Sequence, residues 1–424
     1  MSLIRTYLNR NLLKNISTLV LGTGVAQLIA IGFQLITRRL FSPEVFGNYA
    51  VYLSLFSILA TLSSLQYNRT VLLPKKDKDS IHLVAVSISA IIGINLLILL
   101  AVLLFEHQIA GILHIQSEYS FWLLFLPLSV VFFAVYEVLN YWLLRQKAFR
   151  ISAGTKIIRR SGEGLIQSSM GWKGIPSGLV IGDVAGHFLN ALYAGYRSFR
   201  RGLHFRSFSR ASFLAVAKRY SDFPKYNSIP ALLNKLCLFL PVILVNAYYN
   251  SEVTGYFDLS RMVLALPLAL ITQAIMQSLL QSLSESKQKG ISIKRHLSGL
   301  FALLALMAVM GVFLVVFVGD FIFGLFGAEW SQSALFARIM VYSFALKFVV
   351  SPFSAVFTAL ERIRTASLWQ VFNFLVLSVL FFFRELPVMD FILLYVLLEV
   401  FSYLVYFVLI TRVVHQYERS LYAP

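Results

Sequence analysis

The 424 residues are 58% hydrophobic and only 13% charged, where an ordinary soluble domain is about a quarter charged. The apolar residues come in blocks near the ~20 that one helical crossing of a bilayer requires. This excludes a soluble globular fold, and the lack of short alternating strands excludes an outer-membrane barrel. A formal charge of +18 would point to nucleic acid in a soluble protein. Here it reports topology, because cytoplasmic loops collect Lys and Arg, and no nucleic-acid partner is expected. A single cysteine, Cys237, leaves no internal disulfide and no multi-cysteine metal site.

In chain order the pattern predicts an all-α polytopic membrane protein with twelve spans. They lie near 14–37, 44–66, 82–105, 120–143, 152–170 and 176–196, then 226–246, 253–284, 297–320, 334–358, 366–384 and 389–411. The first apolar run exceeds a signal-peptide core and lacks a small-residue cleavage site, so it reads as a retained helix. The eighth is long enough to extend beyond the bilayer. Of the 37 Lys and Arg, 29 fall in one set of connections: the N-terminus (Arg5, Arg10, Lys14), loops 67–81, 144–160, 197–225, 285–297 and 359–366, and the tail. The opposite set holds four, Arg38, Arg39, Lys173 and Arg384, and the last four, Lys235, Arg261, Arg338 and Lys347, fall inside spans. This asymmetry predicts that both termini are cytoplasmic. The basic 197–225 connection reads as a linker containing an amphipathic helix on the anionic inner leaflet.

The chain reads as a duplication. Pro43-Glu44-Val45-Phe46-Gly47-Asn48-Tyr49 after the first span matches Ser251-Glu252-Val253-Thr254-Gly255-Tyr256-Phe257 after the seventh. Ile109-Ala110-Gly111-Ile112-Leu113 before the fourth matches Ile322-Phe323-Gly324-Leu325-Phe326 before the tenth. Both pairs fall on the same side of the membrane, so the expected architecture is two parallel six-helix repeats, 1–205 and 206–424, forming two lobes around a central cavity. Such a frame favours alternating-access transport over catalysis at a fixed pocket.

Motifs for enzymatic chemistry are missing. No P-loop occurs, the seven histidines form no metal-ligand pattern,, and neither a cofactor nor a metal is expected. Gly178, Gly182 and Gly186 form a small-residue ridge of the kind that packs helices. The sequons at Asn15 and Asn68 lie at the cytoplasmic face and are discounted. Ionisable residues inside spans carry more information, since an unpaired charge there costs at least a few kcal/mol. Lys235, Arg261 and Lys347, with Asp258 one turn from Arg261, are the candidate substrate contacts of a water-filled, anion-attracting cavity. Asp258–Arg261 also reads as a structural pair. Glu399, Asp183, His187 and Glu137 are candidates for ion coupling or proton relay, although Asp183 and His187 equally suit packing beside the glycine ridge. Arg338 lies near a periplasmic helix end and can snorkel.

Several stretches together resemble the polysaccharide transporter family, the Wzx-type oligosaccharide flippases of the multidrug/oligosaccharidyl-lipid/polysaccharide exporter superfamily. They are Arg38-Arg39-Leu40-Phe41-Ser42-Pro43-Glu44-Val45-Phe46-Gly47, Leu65-Gln66-Tyr67 with Val71-Leu72-Leu73-Pro74-Lys75-Lys76, and Asn140-Tyr141-Trp142-Leu143-Leu144-Arg145-Gln146-Lys147-Ala148-Phe149. Tyr220-Ser221-Asp222-Phe223-Pro224-Lys225-Tyr226-Asn227 and Gly255-Tyr256-Phe257-Asp258-Leu259-Ser260-Arg261 before Pro267 complete the series. The resemblance implies no enzyme. It implies a flippase moving an undecaprenyl-pyrophosphate-linked oligosaccharide from the cytoplasmic to the periplasmic leaflet of the bacterial inner membrane, for O-antigen or a related surface polysaccharide. A polymerase and a chain-length regulator are then expected partners. Arg261 matches in position the eighth-helix arginine of the related lipid II flippases, which implies a pyrophosphate contact. Those relatives also carry a first-helix arginine, where this chain offers only Gln27 and Gln34. The rival reading is a cation-coupled drug antiporter of the same superfamily.

Overall fold

The computed structural model describes residues 10–205 and 208–421. Arg5 and Arg206, and the side chains of Arg10, Lys14, Asn15 and Pro267, lie outside what it describes. The described residues are helical nearly throughout and contain no strand. In chain order they form α1 (Arg10–Leu40), α2 (Pro43–Ser63), α3 (Asp77–Ile112), α4 (Leu126–Arg145), α5 (Phe149–Trp172), α6 (Gly178–Phe199) and the short α7 (Arg210–Arg219). Then follow α8 (Asp222–Tyr248), α9 (Ser251–Lys289), α10 (Lys294–Gly324), α11 (Ser331–Val350), the five-residue α12 (Ala355–Ala359), α13 (Ile363–Ser378) and α14 (Val388–Leu421). Each of the twelve expected spans overlaps a helix, although 120–143 begins in a 3-10 turn before α4, 334–358 runs from α11 into α12, and 366–384 passes the end of α13. Among the described residues, nine helical segments are long and apolar enough to cross a membrane, and α1, α5 and α6 are outside that set. Helices α5 and α6 carry buried ionic groups in place of apolar ones. Helix α9, with 39 residues, is about 58 Å long at the helical rise and extends beyond a ~30 Å bilayer core.

Two compact units result, up to Lys235 and from Leu236, each taken separately. The repeat is visible in how the second helix of each begins. Ser42 caps α2 by accepting from Val45 N at 3.4 Å, and Asn250 caps α9 by accepting from Val253 N at 2.8 Å. The two caps stand at matched positions and satisfy the same orphan N–H. Each capped end also meets the turn before the fourth helix of its own repeat: Gln116 donates to Glu44 in the first, and Tyr256 packs edge-on against Trp330 at 6.2 Å in the second. The third helix of each repeat, α3 and α10, presents rows of exposed side chains such as Leu96, Leu100 and Leu103, and Phe313, Phe317 and Phe321. Apolar surface of this extent belongs against lipid.

In the first unit α5 lies between α1 and α6 at close range. Glycines allow it. A Cβ on Gly164 would stand 2.1 Å from the Phe33 ring, and one on Gly182 would stand 2.4 Å from Gln167 Cγ and 3.0 Å from the Glu163 carbonyl. A Cβ on Gly186 would come within 2.8 Å of Glu163 Cβ and 3.2 Å of the Arg159 carbonyl. The ridge therefore packs α6 onto α5. The 197–225 linker contains the expected helix, α7, which turns Val216 inward. It is tethered to the unit by Tyr67 OH donating to Ala217 O at 3.0 Å, and by Ser209 N donating to His82 Nε2 at 3.2 Å.

Counting 144–160 as a basic connection needs correction, because α5 starts at Phe149. Lys156, Arg159 and Arg160 are therefore helical and partly buried, whereas Arg150, in the first turn, is exposed and stays in the count. Removing them leaves 26 basic residues against four, and the asymmetry keeps its sign. Gly186→Leu overpacks the α5–α6 contact, at a cost of about 1–3 kcal/mol. Its thermal unfolding in detergent is expected several degrees below wild type, while Gly111→Ala, where the added Cβ meets nothing within 4 Å, stays unchanged. Equal melting of the two variants contradicts the packing role.

Candidate functional site

Among the described residues each unit holds a buried ionic network. In the first, α5 contributes Arg159, Arg160 and Glu163, three and four residues apart and so on one helix face. Arg160 Nη1 lies 3.1 Å from Glu163 Oε2, and Arg159 Nε lies 3.6 Å from it. Arg159 Nη2 reaches across to Asp183 Oδ1 on α6 at 3.7 Å. Asp183 and His187, one turn apart, are completely buried, with His187 Nε2 3.4 Å from Asp183 Oδ1. Ser129 donates to Asp183 Oδ2 at 3.2 Å, and Ser129 shares a 2.6 Å hydrogen bond with Tyr52 OH. The imidazole is packed between Phe56 and Phe133, with ring centroids at 5.0 and 5.3 Å. Two guanidinium groups and two carboxylates balance without a charge on His187. The Asp183–His187 pair thus has relay geometry, sealed inside one helix bundle.

Glu137 lies apart from this network. It accepts from Asn68 Nδ2 at 3.1 Å and is within electrostatic range of Arg69 and Lys235. Each acid in the first unit's interior therefore has a cation beside it.

In the second unit Lys347 on α11 pairs with Glu399 on α14, and Tyr395 OH donates to the same carboxylate oxygen at 2.7 Å. The Lys347 ammonium faces the rings of Phe344, Tyr403 and Tyr395 at 4.9, 5.6 and 5.9 Å. Two residues that the sequence placed in separate roles thus form one pair in an aromatic cage. Arg261 is held differently. Its Nη2 lies 3.7 Å from Asp258 Oδ1, Nη1 donates to Leu238 O on α8 at 2.5 Å, and the guanidinium stands over Phe239 at 5.1 Å. Among the described residues the carboxylate that meets it is Asp258, near the limit of ion-pair distance. Arg338 pairs with Asp320 at 2.6 Å.

Sequence reasoning brought Asp258 to Arg261 and Asp183 to His187, but missed Arg159, Arg160, Ser129 and Tyr395. The Arg159–Glu163 spacing of four was the available signal. Gln34, one of the two glutamines found where the related flippases have a first-helix arginine, accepts from Arg38 Nε at 3.3 Å, and Arg38 stacks on Phe46 at 3.8 Å. The cation that meets α1 comes from α5, where Lys156 donates to Thr23 Oγ1 at 2.9 Å. Arg145, within one of the resembling stretches, donates to Pro74 O at 2.7 Å and pairs with Asp77 at 2.8 Å, so it closes the Val71–Lys76 stretch onto α4. No His, Cys, Asp or Glu cluster among the described residues has the make-up of a metal site.

Residues 36–335 match the family described as polysaccharide biosynthesis protein. The chain belongs to that family. No curated protein matches it in sequence. Among solved structures it resembles a multidrug resistance MATE family transporter of the MOP superfamily in its inward-facing conformation, with a TM-score of 0.76 and 12% identity over 93% of this chain and 96% of that one. It also resembles the lipid II flippase MurJ in an inward closed conformation, with a TM-score of 0.75 and 14% identity over 95% and 90%. A third is the MATE multidrug transporter DinF-BH, at 0.64 and 13% over 96% of each chain. The fold is that of these two-lobed transporters.

The Lys347–Glu399 pair generates a non-additive expectation. Lys347→Met leaves a carboxylate that is 4% exposed without a cation, which costs about 3–5 kcal/mol. Lys347→Met with Glu399→Gln removes both charges and is expected to recover most of the lost melting temperature. If the double variant melts below the single one, Glu399 is stabilised by something other than Lys347.

Proposed function

We propose that this family member is a flippase for a polyprenyl-pyrophosphate-linked oligosaccharide, carrying it from the cytoplasmic to the periplasmic leaflet of the bacterial inner membrane for O-antigen or a related surface polysaccharide. Its lobes are 1–205 and 206–424, both termini are cytoplasmic, and a polymerase and a chain-length regulator receive the product. The observation that carries this reading is Arg261, a half-buried guanidinium with one carboxylate neighbour 3.7 Å away, in a family of polysaccharide biosynthesis. A planar fork that stays charged at any cellular pH suits a pyrophosphate. Asp258 holds Arg261 in the empty state and yields it to substrate. Lys235 supplies a second cation. Lys347, neutralised by Glu399, belongs to the same site only if that pair opens, and Glu399, Asp183, His187 and Glu137 are the groups available for coupling to an ion.

Drug antiport is less well supported. A carrier of cationic compounds needs an acid free to receive them, whereas Asp183 has Arg159 at 3.7 Å and Glu137 has Arg69 and Lys235 within range.

Arg261→Ala is expected to abolish surface glycan in a strain that depends on this protein, at normal membrane abundance. Arg261→Lys should restore it partly, because a point charge cannot make the bidentate contact, and Asp258→Ala should be milder. Wild-type glycan from Arg261→Ala contradicts the substrate role, and loss of the protein from the membrane assigns Arg261 to folding. Unaltered glycan in a strain lacking the protein, together with heightened sensitivity to cationic dyes, would favour the antiporter.

A further inference from the structure

Helices α10 and α14 leave a groove of about 890 Å³ between them at the end of the second unit where the 285–297 connection and the C-terminal tail meet. Its volume is that of a small-molecule site, and its two ends differ in chemistry. The body is apolar, with Phe301, Phe353, Phe407 and Ile410 among its walls. Phe301 packs against Phe407 at 5.3 Å and Phe353 at 6.3 Å, so the wall is a continuous aromatic surface. The mouth carries Lys294, His415 and Arg419, all exposed.

One acid, Glu418, lines the same mouth, and its carboxylate is already committed. Oε1 accepts from Ile293 N at 2.8 Å and from Lys294 N at 3.1 Å. It therefore caps the start of α10 and compensates the helix N-terminus, leaving a net positive rim. Tyr417 OH, bonded to Ile291 O at 3.1 Å, braces the same corner. An apolar slot with a cationic rim, at the level where a membrane helix leaves the hydrocarbon, matches a lipid that has a negative headgroup.

We propose that this groove binds one anionic glycerophospholipid, its acyl chain along the aromatic wall and its phosphodiester between Lys294 and Arg419. Two fixed cations and an imidazole match a single phosphodiester. The groove is also distinct from Arg261, which stands 28 residues along α9 from Lys289, about 42 Å by the helical rise. Basic clusters beside transmembrane helices are the ordinary means of recognising anionic lipids. The leaflet occupied rests on the orientation proposed above, but binding itself does not, so a micelle experiment tests the groove independently of transport.

The test titrates the purified full-length protein in detergent with phosphatidylglycerol, with phosphatidylcholine of the same chains, and with a polyprenyl phosphate. Readouts are the melting temperature and bound lipid by native mass spectrometry. Phosphatidylglycerol is expected to bind at one copy and raise the melting temperature, with phosphatidylcholine weaker. K294Q/R419Q should weaken phosphatidylglycerol about 30-fold, from roughly a factor of five per cation. K75Q/K76Q, two exposed lysines of the first unit, should leave binding unchanged. S298W, which fills the groove without altering charge, should also abolish the single bound copy, and it decides the outcome if the charge variant does not fold. Equal binding of phosphatidylcholine, equal loss in K75Q/K76Q, or unaltered binding in S298W overturns the proposal. Preference for the polyprenyl phosphate also overturns it and reassigns the groove to the substrate's tail.

Discussion

Everything in this structure answers to the cost of placing ionised groups in hydrocarbon. A charge without a partner there costs several kcal/mol, and burying even a pair is a near balance of desolvation against attraction. The protein therefore gathers its intramembrane charges into closed sets. Arg159, Arg160, Glu163 and Asp183 form one such set across α5 and α6. Lys347 and Glu399 form another across α11 and α14. The close approach of α5 and α6 depends on Gly182 and Gly186, whose missing side chains let the Arg159 guanidinium reach Asp183. Packing and electrostatics are one arrangement here.

Against that background Arg261 carries the proposed function. Arg261 is tied to a backbone carbonyl and to one carboxylate at 3.7 Å. Lys235 has Glu137 within electrostatic range. Arg261 is the cation proposed to exchange its present partners for an anionic substrate, whereas breaking the sealed network of the first unit strands a buried charge. The same logic makes Asp183 and His187 better suited to setting the structure of their bundle than to meeting substrate directly.

The spans were legible because a lipid-facing helix needs an unbroken apolar run, and α3 and α10 supply it in extreme form. The repeat was legible through Glu44-Val45 with Gly47 and Glu252-Val253 with Gly255, and the structure adds that Ser42 and Asn250, just before them, cap the same backbone position. The start of α5 misled the reading, because Lys156, Arg159 and Arg160 imitate a basic loop when their partners are not in view. Two of those partners, Thr23 on α1 and Asp183 on α6, are distant in sequence, and the third, Glu163, is within one turn. The Lys347–Glu399 pair was hidden for the same reason: 52 residues separate the partners, and no local pattern links them. Arg261 and Asp258, three apart, were visible as a pair because helical periodicity alone puts them on one face.

Movement of an anionic lipid-linked glycan between leaflets is the proposed activity. Its most direct test is a leaflet-exchange assay in proteoliposomes, using a fluorescent polyprenyl-pyrophosphoryl oligosaccharide and an impermeant quencher. Wild-type protein is expected to raise the quenchable fraction above that of protein-free vesicles, Arg261→Ala is not, and a fluorescent phosphatidylcholine should not be moved. A quenchable fraction no higher than in protein-free vesicles, or equal movement of phosphatidylcholine, would contradict it.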